Sequence, residues 1–152
     1  MKVSPETTPT DLADTAAQSI RLPDGLVGFP EYKSFELLCA TDQLPFIWLR
    51  LHGPDPLHFV VIEPGGIIPD YEPELFDEDA AFLGLSAPGD TLVLNIVTVK
   101  PGQQATATVN LAGPIIVNRR TGIAKQCVLA NYGRYSARYP LVDNTAAAGH
   151  QN

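Results

Sequence analysis

The groups in this sequence that could do chemistry are three histidines, two cysteines and seventeen carboxylates. His52, His58 and Glu63 would form a metal trio if the intervening loop folded back, but their spacing matches no ligand signature. Ser34, Ser86 and Ser136 sit in no nucleophile-elbow sequence, so hydrolytic chemistry has no starting point. Carboxylates abound, yet none stands alone in an apolar stretch that would raise its pKa for acid catalysis. Cys39 and Cys127 both lie in apolar runs and are expected to be buried free thiols. These residues predict a protein that is not an enzyme and carries neither metal nor cofactor.

The densest charged cluster is acidic. Asp70, Glu72, Glu74, Asp77, Glu78 and Asp79 fall in one stretch with no basic residue, interleaved with Tyr71, Leu75 and Phe76. Such a run is ordinarily a solvated face; with aromatics among it, it also reads as a patch that meets a basic partner. It lacks the glycine and terminal glutamate spacing of a calcium-binding loop. Charge is segregated along the chain. Residues 1–99 hold four basic and sixteen acidic residues, whereas Lys100–Val142 hold six basic and no acidic ones. The formal net charge of −7 opposes direct, sequence-independent nucleic-acid binding, which depends on cations at phosphates.

These groups must be positioned by a β-rich fold. Fourteen prolines and twelve glycines imply many turns and few long helices. No apolar run approaches the ~20 residues that span a bilayer, and no signal peptide is visible, so a cytoplasmic protein without a membrane role is expected. Residues 1–19 and 143–152 hold few large apolar side chains and read as disordered tails around one domain at 20–142. Strands are predicted at Ile20–Leu22, Phe35–Ala40, Phe46–Leu51, His58–Glu63, Thr91–Val99, Ala105–Leu111, Pro114–Val117 and Ile123–Leu129. Thr91–Val99 and Ala105–Leu111 form a hairpin through Pro101–Gln104. A short helix over Glu78–Leu83, capped by Asp77, would turn Ala80, Phe82 and Leu83 to the core. The fold class is mainly β: a compact antiparallel β-barrel-like domain with one short helix.

Two loops stand out. Pro23-Asp24-Gly25 is a turn, followed by the large apolar side chains Leu26, Val27 and Phe29. These either plug one end of the core or form a partner-binding loop. Asn110 and Asn118 each close an apolar run, where an Asx side chain turns the chain by bonding its own backbone. Farther on, Tyr132, Tyr135 and Tyr139 alternate with Arg134 and Arg138. That pattern suits either cover over a core edge or RNA stacking.

Thr108-Val109-Asn110-Leu111, Pro114-Ile115, Asn118, Lys125-Gln126 and Val128-Leu129 together resemble the flagellar assembly factor family, FliW. Gly25-Leu26-x-Gly28-Phe29 resembles the family's Gly-Leu-Pro-Gly-Phe loop, with Val27 in place of its proline. Pro45-Phe46 with Leu49, Phe59-Val60 and Glu63-Pro64 extend the likeness from about Ile20 to Leu141. The resemblance implies a cytoplasmic, non-enzymatic β-barrel adaptor of flagellated bacteria. It implies two protein partners: flagellin, and the translational regulator CsrA, which represses flagellin translation. Secretion of flagellin would free the adaptor to antagonise CsrA. On this reading the acidic run Asp70–Asp79 suits the basic regulator. Asn118, Arg119, Arg120, Lys125 and Gln126 are an alternative surface. Leu26–Phe29 suits an amphipathic flagellin helix. The residues alone also fit a small β-barrel ligand- or RNA-binding module unrelated to flagella.

Overall fold

In a computed structural model, residues 1–5, 18–40, 42, 45–100 and 106–141 are described. The strands are β1 (Ile20–Arg21), β2 (Ser34–Leu38), β3 (Ile47–Leu51), β4 (Leu57–Ile62), β5 (Thr91–Lys100), β6 (Thr106–Val109), β7 (Ile115–Asn118), β8 (Ile123–Gln126) and β9 (Tyr139–Pro140). Among the described residues one α-helix, α1 (Asp77–Phe82), and a short 3-10 turn at Pro88–Asp90 lie between β4 and β5. The ninth strand, within the tyrosine-rich segment, is one more than the sequence predicts. It is two residues long, too short to carry a periodicity.

The strands pair in the order β4-β3-β2-β1-β8-β7-β5-β6-β9, and an additional β4–β5 pairing closes β1, β2, β3, β4, β5, β7 and β8 into a ring. Among the described residues the strand pairings are antiparallel except the parallel match Arg21↔Ile123 between β1 and β8. The barrel interior is filled by alternate residues, among them Ile20, Phe35, Leu37, Leu49, Leu51, Leu92, Leu94, Ile115, Val117 and Ala124.

From Leu92 to Val97 β5 is largely apolar on both faces, and both are covered. Leu92 and Leu94 point into the barrel, while Val93 and Val97 join a second cluster outside it with Ile116 and Val109. That outer cluster is completed by Ile68, Tyr71, Leu75 and Leu83 from the segment between β4 and β5. α1 belongs to this second layer. It begins at Asp77, with Phe76 at the N-cap position and no side-chain cap bond, so Asp77 is not the predicted cap. Ala80 and Leu83 face the core as expected, but Phe82 is 43% exposed. A helix of six residues presents too narrow a face to bury all three.

The N-terminal segment departs from the composition-based expectation of an unpacked tail. Val3 is buried, its N–H donates to the Pro73 carbonyl (3.1 Å), and Lys2 pairs with Glu74 in an isolated bridge. The Met1 ammonium donates to Leu75 O and Leu75 N–H donates to Met1 O, both at 2.7 Å. One buried valine and a few backbone bonds suffice to seat these residues. The rest of the predicted tails, at 6–17 and 143–152, and the Pro101–Gln104 turn lie outside the described residues.

β6 and β7 run along the same edge of β5 but not continuously. Val97 pairs with Val109 and Leu94 with Ile115, so the five residues Asn110–Pro114 stand opposite only two of β5. The excess forms a loop that Asn110 organises. Its Oδ1 accepts from Ala112 N (3.1 Å) and Gly113 N (2.9 Å), the Asx turn anticipated from sequence. A Cβ on Gly113 would come within 3.2 Å of Asn110 Nδ2. Beneath the loop, fully buried Asn95 donates through Nδ2 to Asn110 O (3.0 Å) and to Tyr71 Oη (3.1 Å). Tyr71 Oη in turn donates to Leu111 O (2.6 Å). Tyr71→Phe strips the Leu111 carbonyl and one Asn95 proton of their partner at a buried site. Chemical denaturation should show a loss of about 1–3 kcal/mol with an unchanged m-value; an unaltered midpoint would mean that water replaces the hydroxyl.

Candidate functional site

The loop after β1 is a plug. Gly25 takes φ +66°, and a Cβ there would lie 2.4 Å from the Phe29 carbonyl oxygen, so the turn needs glycine. Leu26 is 3% exposed inside the barrel, and Phe29 packs edge-on against Phe59 and Tyr32 (centroids 5.5 and 6.3 Å). Of the predicted apolar docking residues, Leu26 is buried and Phe29 half-buried, while Val27 beside them is 73% exposed. Gln126 fixes the plug from inside. Its Oε1 accepts from Val27 N (3.0 Å) and its Nε2 donates to Gly113 O (3.1 Å), tying the plug to the Asn110 loop.

The alternative surface, Asn118 to Gln126, is also largely structural. Asn118 is fully buried: Nδ2 donates to Leu83 O (2.8 Å), and Oδ1 accepts from Arg120 N (2.9 Å) in the β7–β8 turn. Arg119 donates from its side chain to Gly89 O and from its backbone to Asp90 O (2.8 Å). Arg120 reaches Asp90 (3.3 Å) and Gly84 O (3.2 Å). Lys125 pairs with Asp79 at 2.5 Å and lies 5.3 Å over the Phe82 ring. The basic part of the sequence thus folds onto the acidic part. These cations clamp the second layer to the barrel, and chain order gave no view of that pairing.

The acidic run divides. Asp79 is buried under Lys125, and Glu74 is half-buried. Asp70, Glu72, Asp77 and Glu78 are exposed, with Phe76 and Phe82 each 43% exposed beside them in sequence or on α1. Glu78 and Phe82 are four apart and share a helix face. The result is a small acidic stretch with two partly exposed aromatic rings, that of Phe82 lying under the Lys125 ammonium.

The thiols differ. Cys127 is buried as expected, and burial pushes its pKa up to about 12. Cys39 is exposed, against expectation, because β2 ends at Leu38 and leaves it beyond the sheet. His52 Nδ1 lies 3.0 Å from Ser34 Oγ, and its Nε2 lies 3.5 Å from Glu36, whose carboxylate also pairs with Arg50. Among the described residues no three His, Cys, Asp or Glu side chains are grouped to hold a metal, and no helix is long and apolar enough to cross a membrane. One surface escaped the sequence reading altogether. A groove of about 360 Å³ lies on the β5–β6 hairpin, lined in part by Thr98, Lys100, Thr106, Thr108 and Arg138. Its strands carry the signal of alternating threonines, but Arg138 joins them only through the fold.

Residues 5–141 match the model of the family described as FliW protein. A flagellar assembly factor FliW of Desulfitobacterium hafniense is 38% identical over 135 residues, covering 89% of this chain and 88% of that protein. One of Treponema denticola is 36% identical, covering 87% and 88%. A crystal structure of the flagellar assembly factor FliW superposes with a TM-score of 0.71 at 32% identity, covering 91% of this chain and 90% of that one.

The Lys125–Asp79 bond raises the Lys125 pKa. A raised lysine pKa gives stability that is complete below the free value of 10.5 and fades as pH climbs through the folded value. Lys125→Met leaves Asp79 buried without its cation and should cost about 1.5–3 kcal/mol at neutral pH. Denaturation across pH 7 to 12 should show the gap between the two proteins closing only at the alkaline end; a gap that closed near neutrality would contradict the pairing.

Proposed function

The chain belongs to the FliW family, and we propose that it serves flagellar assembly as a non-enzymatic, cytoplasmic protein-binding adaptor. In this reading it binds flagellin, and when free of flagellin it antagonises the regulator CsrA, relieving repression of flagellin translation. The family match across residues 5–141 carries the flagellar role. The acidic face supports the regulator half of the reading. Asp77 and Glu78 stand in solvent beside the partly exposed rings of Phe76 and Phe82, a combination suited to a basic RNA-binding protein with apolar surface. Arg120 and Lys125 are paired with Asp90 and Asp79, and Arg119 donates to the Gly89 carbonyl, which supports protein binding over direct RNA binding.

Calorimetric titration into purified CsrA should give saturable binding that added flagellin weakens. Binding unaffected by flagellin would overturn the exclusive-partner scheme, and binding to neither would overturn the adaptor itself. A salt-sensitive RNA shift by this chain alone would instead favour a nucleic-acid module. Asp77→Lys with Glu78→Lys should lower CsrA affinity about tenfold, or ~1.4 kcal/mol, and the loss should shrink at high salt. Unchanged affinity would move the regulator away from α1.

A further inference from the structure

The barrel is closed by a short seam. β4 and β5 pair at only three positions, Val60↔Val97, Val61↔Ile96 and Ile62↔Asn95. β4 continues in the other direction as extended strand from Leu57 to Phe59, held by β3, and β5 continues from Thr98 to Lys100, held by β6. An unbroken ladder would pair these two stretches. Among the described pairings they have separated, and each presents a strand edge toward the other. Exposed strand edges are templates for another strand, and proteins normally block them.

The same part of β5 lines the groove. Thr98 and Lys100 project from β5 onto one face, opposite their cross-strand partners Thr108 and Thr106 on β6. Arg138 forms part of the far wall. The lining holds two cations, three threonine hydroxyls and no carboxylate, in a chain whose formal net charge is −7. Lys100 and Arg138 are both exposed. In sign this groove is the opposite of the Asp77–Glu78 face.

We propose that the β5 edge at Thr98–Lys100, with the threonine groove beside it, docks an extended acidic segment of a protein partner by strand addition. Main-chain bonds to the open edge supply register. Alternate side chains of the added strand fall on the groove side next to Thr98 and Lys100, where carboxylates meet the ammonium, and Arg138, beyond β6, adds its charge to the same groove. A basic or purely apolar segment gains nothing from this lining. The inference does not rest on the flagellar reading, and its test uses neither flagellin nor CsrA, so either idea can fail alone.

The full chain, labelled with ¹⁵N, is titrated with a short synthetic peptide alternating glutamate and threonine, and in parallel with its lysine counterpart and with inorganic phosphate. The expected result is saturable amide shifts centred on Thr98–Lys100 and Thr106–Thr108 with the glutamate peptide alone. Lys100→Glu with Arg138→Glu, both at exposed positions, should weaken that binding at least tenfold while the thermal midpoint stays in place. Equal shifts with phosphate would reduce the groove to a simple anion site and overturn strand docking. Equal shifts with the lysine peptide, shifts spread over Arg119, Arg120 and Lys125, or no shifts at all would overturn it as well.

Discussion

Both faces of β5 between Leu92 and Val97 have to be kept from water. Leu92 and Leu94 are satisfied by the barrel interior, but Val93 and Val97 face outward and are 0% and 5% exposed. With Ile116 and Val109 they form an apolar strip on the outside of a barrel that is too small to hide it. Each such side chain is worth about 1.5–3 kcal/mol when buried. The segment between β4 and β5 exists to provide that burial, through Ile68, Tyr71, Leu75 and Leu83. α1 is a consequence of this cover. With six residues and no side-chain cap it has little stability of its own, and it persists because Ala80 and Leu83 pack and because Lys125 and Asn118 hold its ends.

Two amides are buried where the strand pattern changes, and each donates from its Nδ2 to a backbone carbonyl. Asn95 lies where the β5 partner passes from β7 to β6, and it bonds the backbone of the excursion between them. Asn118 lies where β7 turns into β8 and reaches across to the last turn of α1. A buried amide gains little net energy over an apolar side chain, but leaving it unpaired is expensive. Such groups therefore select one register and one position for the outer layer. This links the sequence motif of two asparagines to the surface that the outer layer presents.

Much of the barrel was legible because strands announce themselves locally. The alternation in Ser34–Leu38 and Ile47–Leu51, the apolar continuity of Thr91–Val97 and the turn chemistry of Asn110 and Asn118 all depend on near neighbours. What could not be read depends on distant ones. Leu26 and Phe29 could be read as a plug or as a partner-binding loop, and only the barrel end that receives them decides for the plug. Arg119, Arg120 and Lys125 look like a basic face until Asp90 and Asp79, thirty and more residues earlier, are folded onto them. Met1–Val3 read as tail because the Pro73–Leu75 backbone that seats them is likewise remote.

The second layer is both a cover for β5 and the carrier of the proposed regulator surface. Amide hydrogen exchange, run on the protein alone and with purified CsrA, tests the two roles together. The amides of Thr91–Val97 in β5 and of β7 should be among the slowest in both states, and the protection added by CsrA should centre on Asp70–Phe82. Fast exchange through Thr91–Val97 in the free protein, or added protection on the outer faces of β2 and β3 with none at α1, would contradict this.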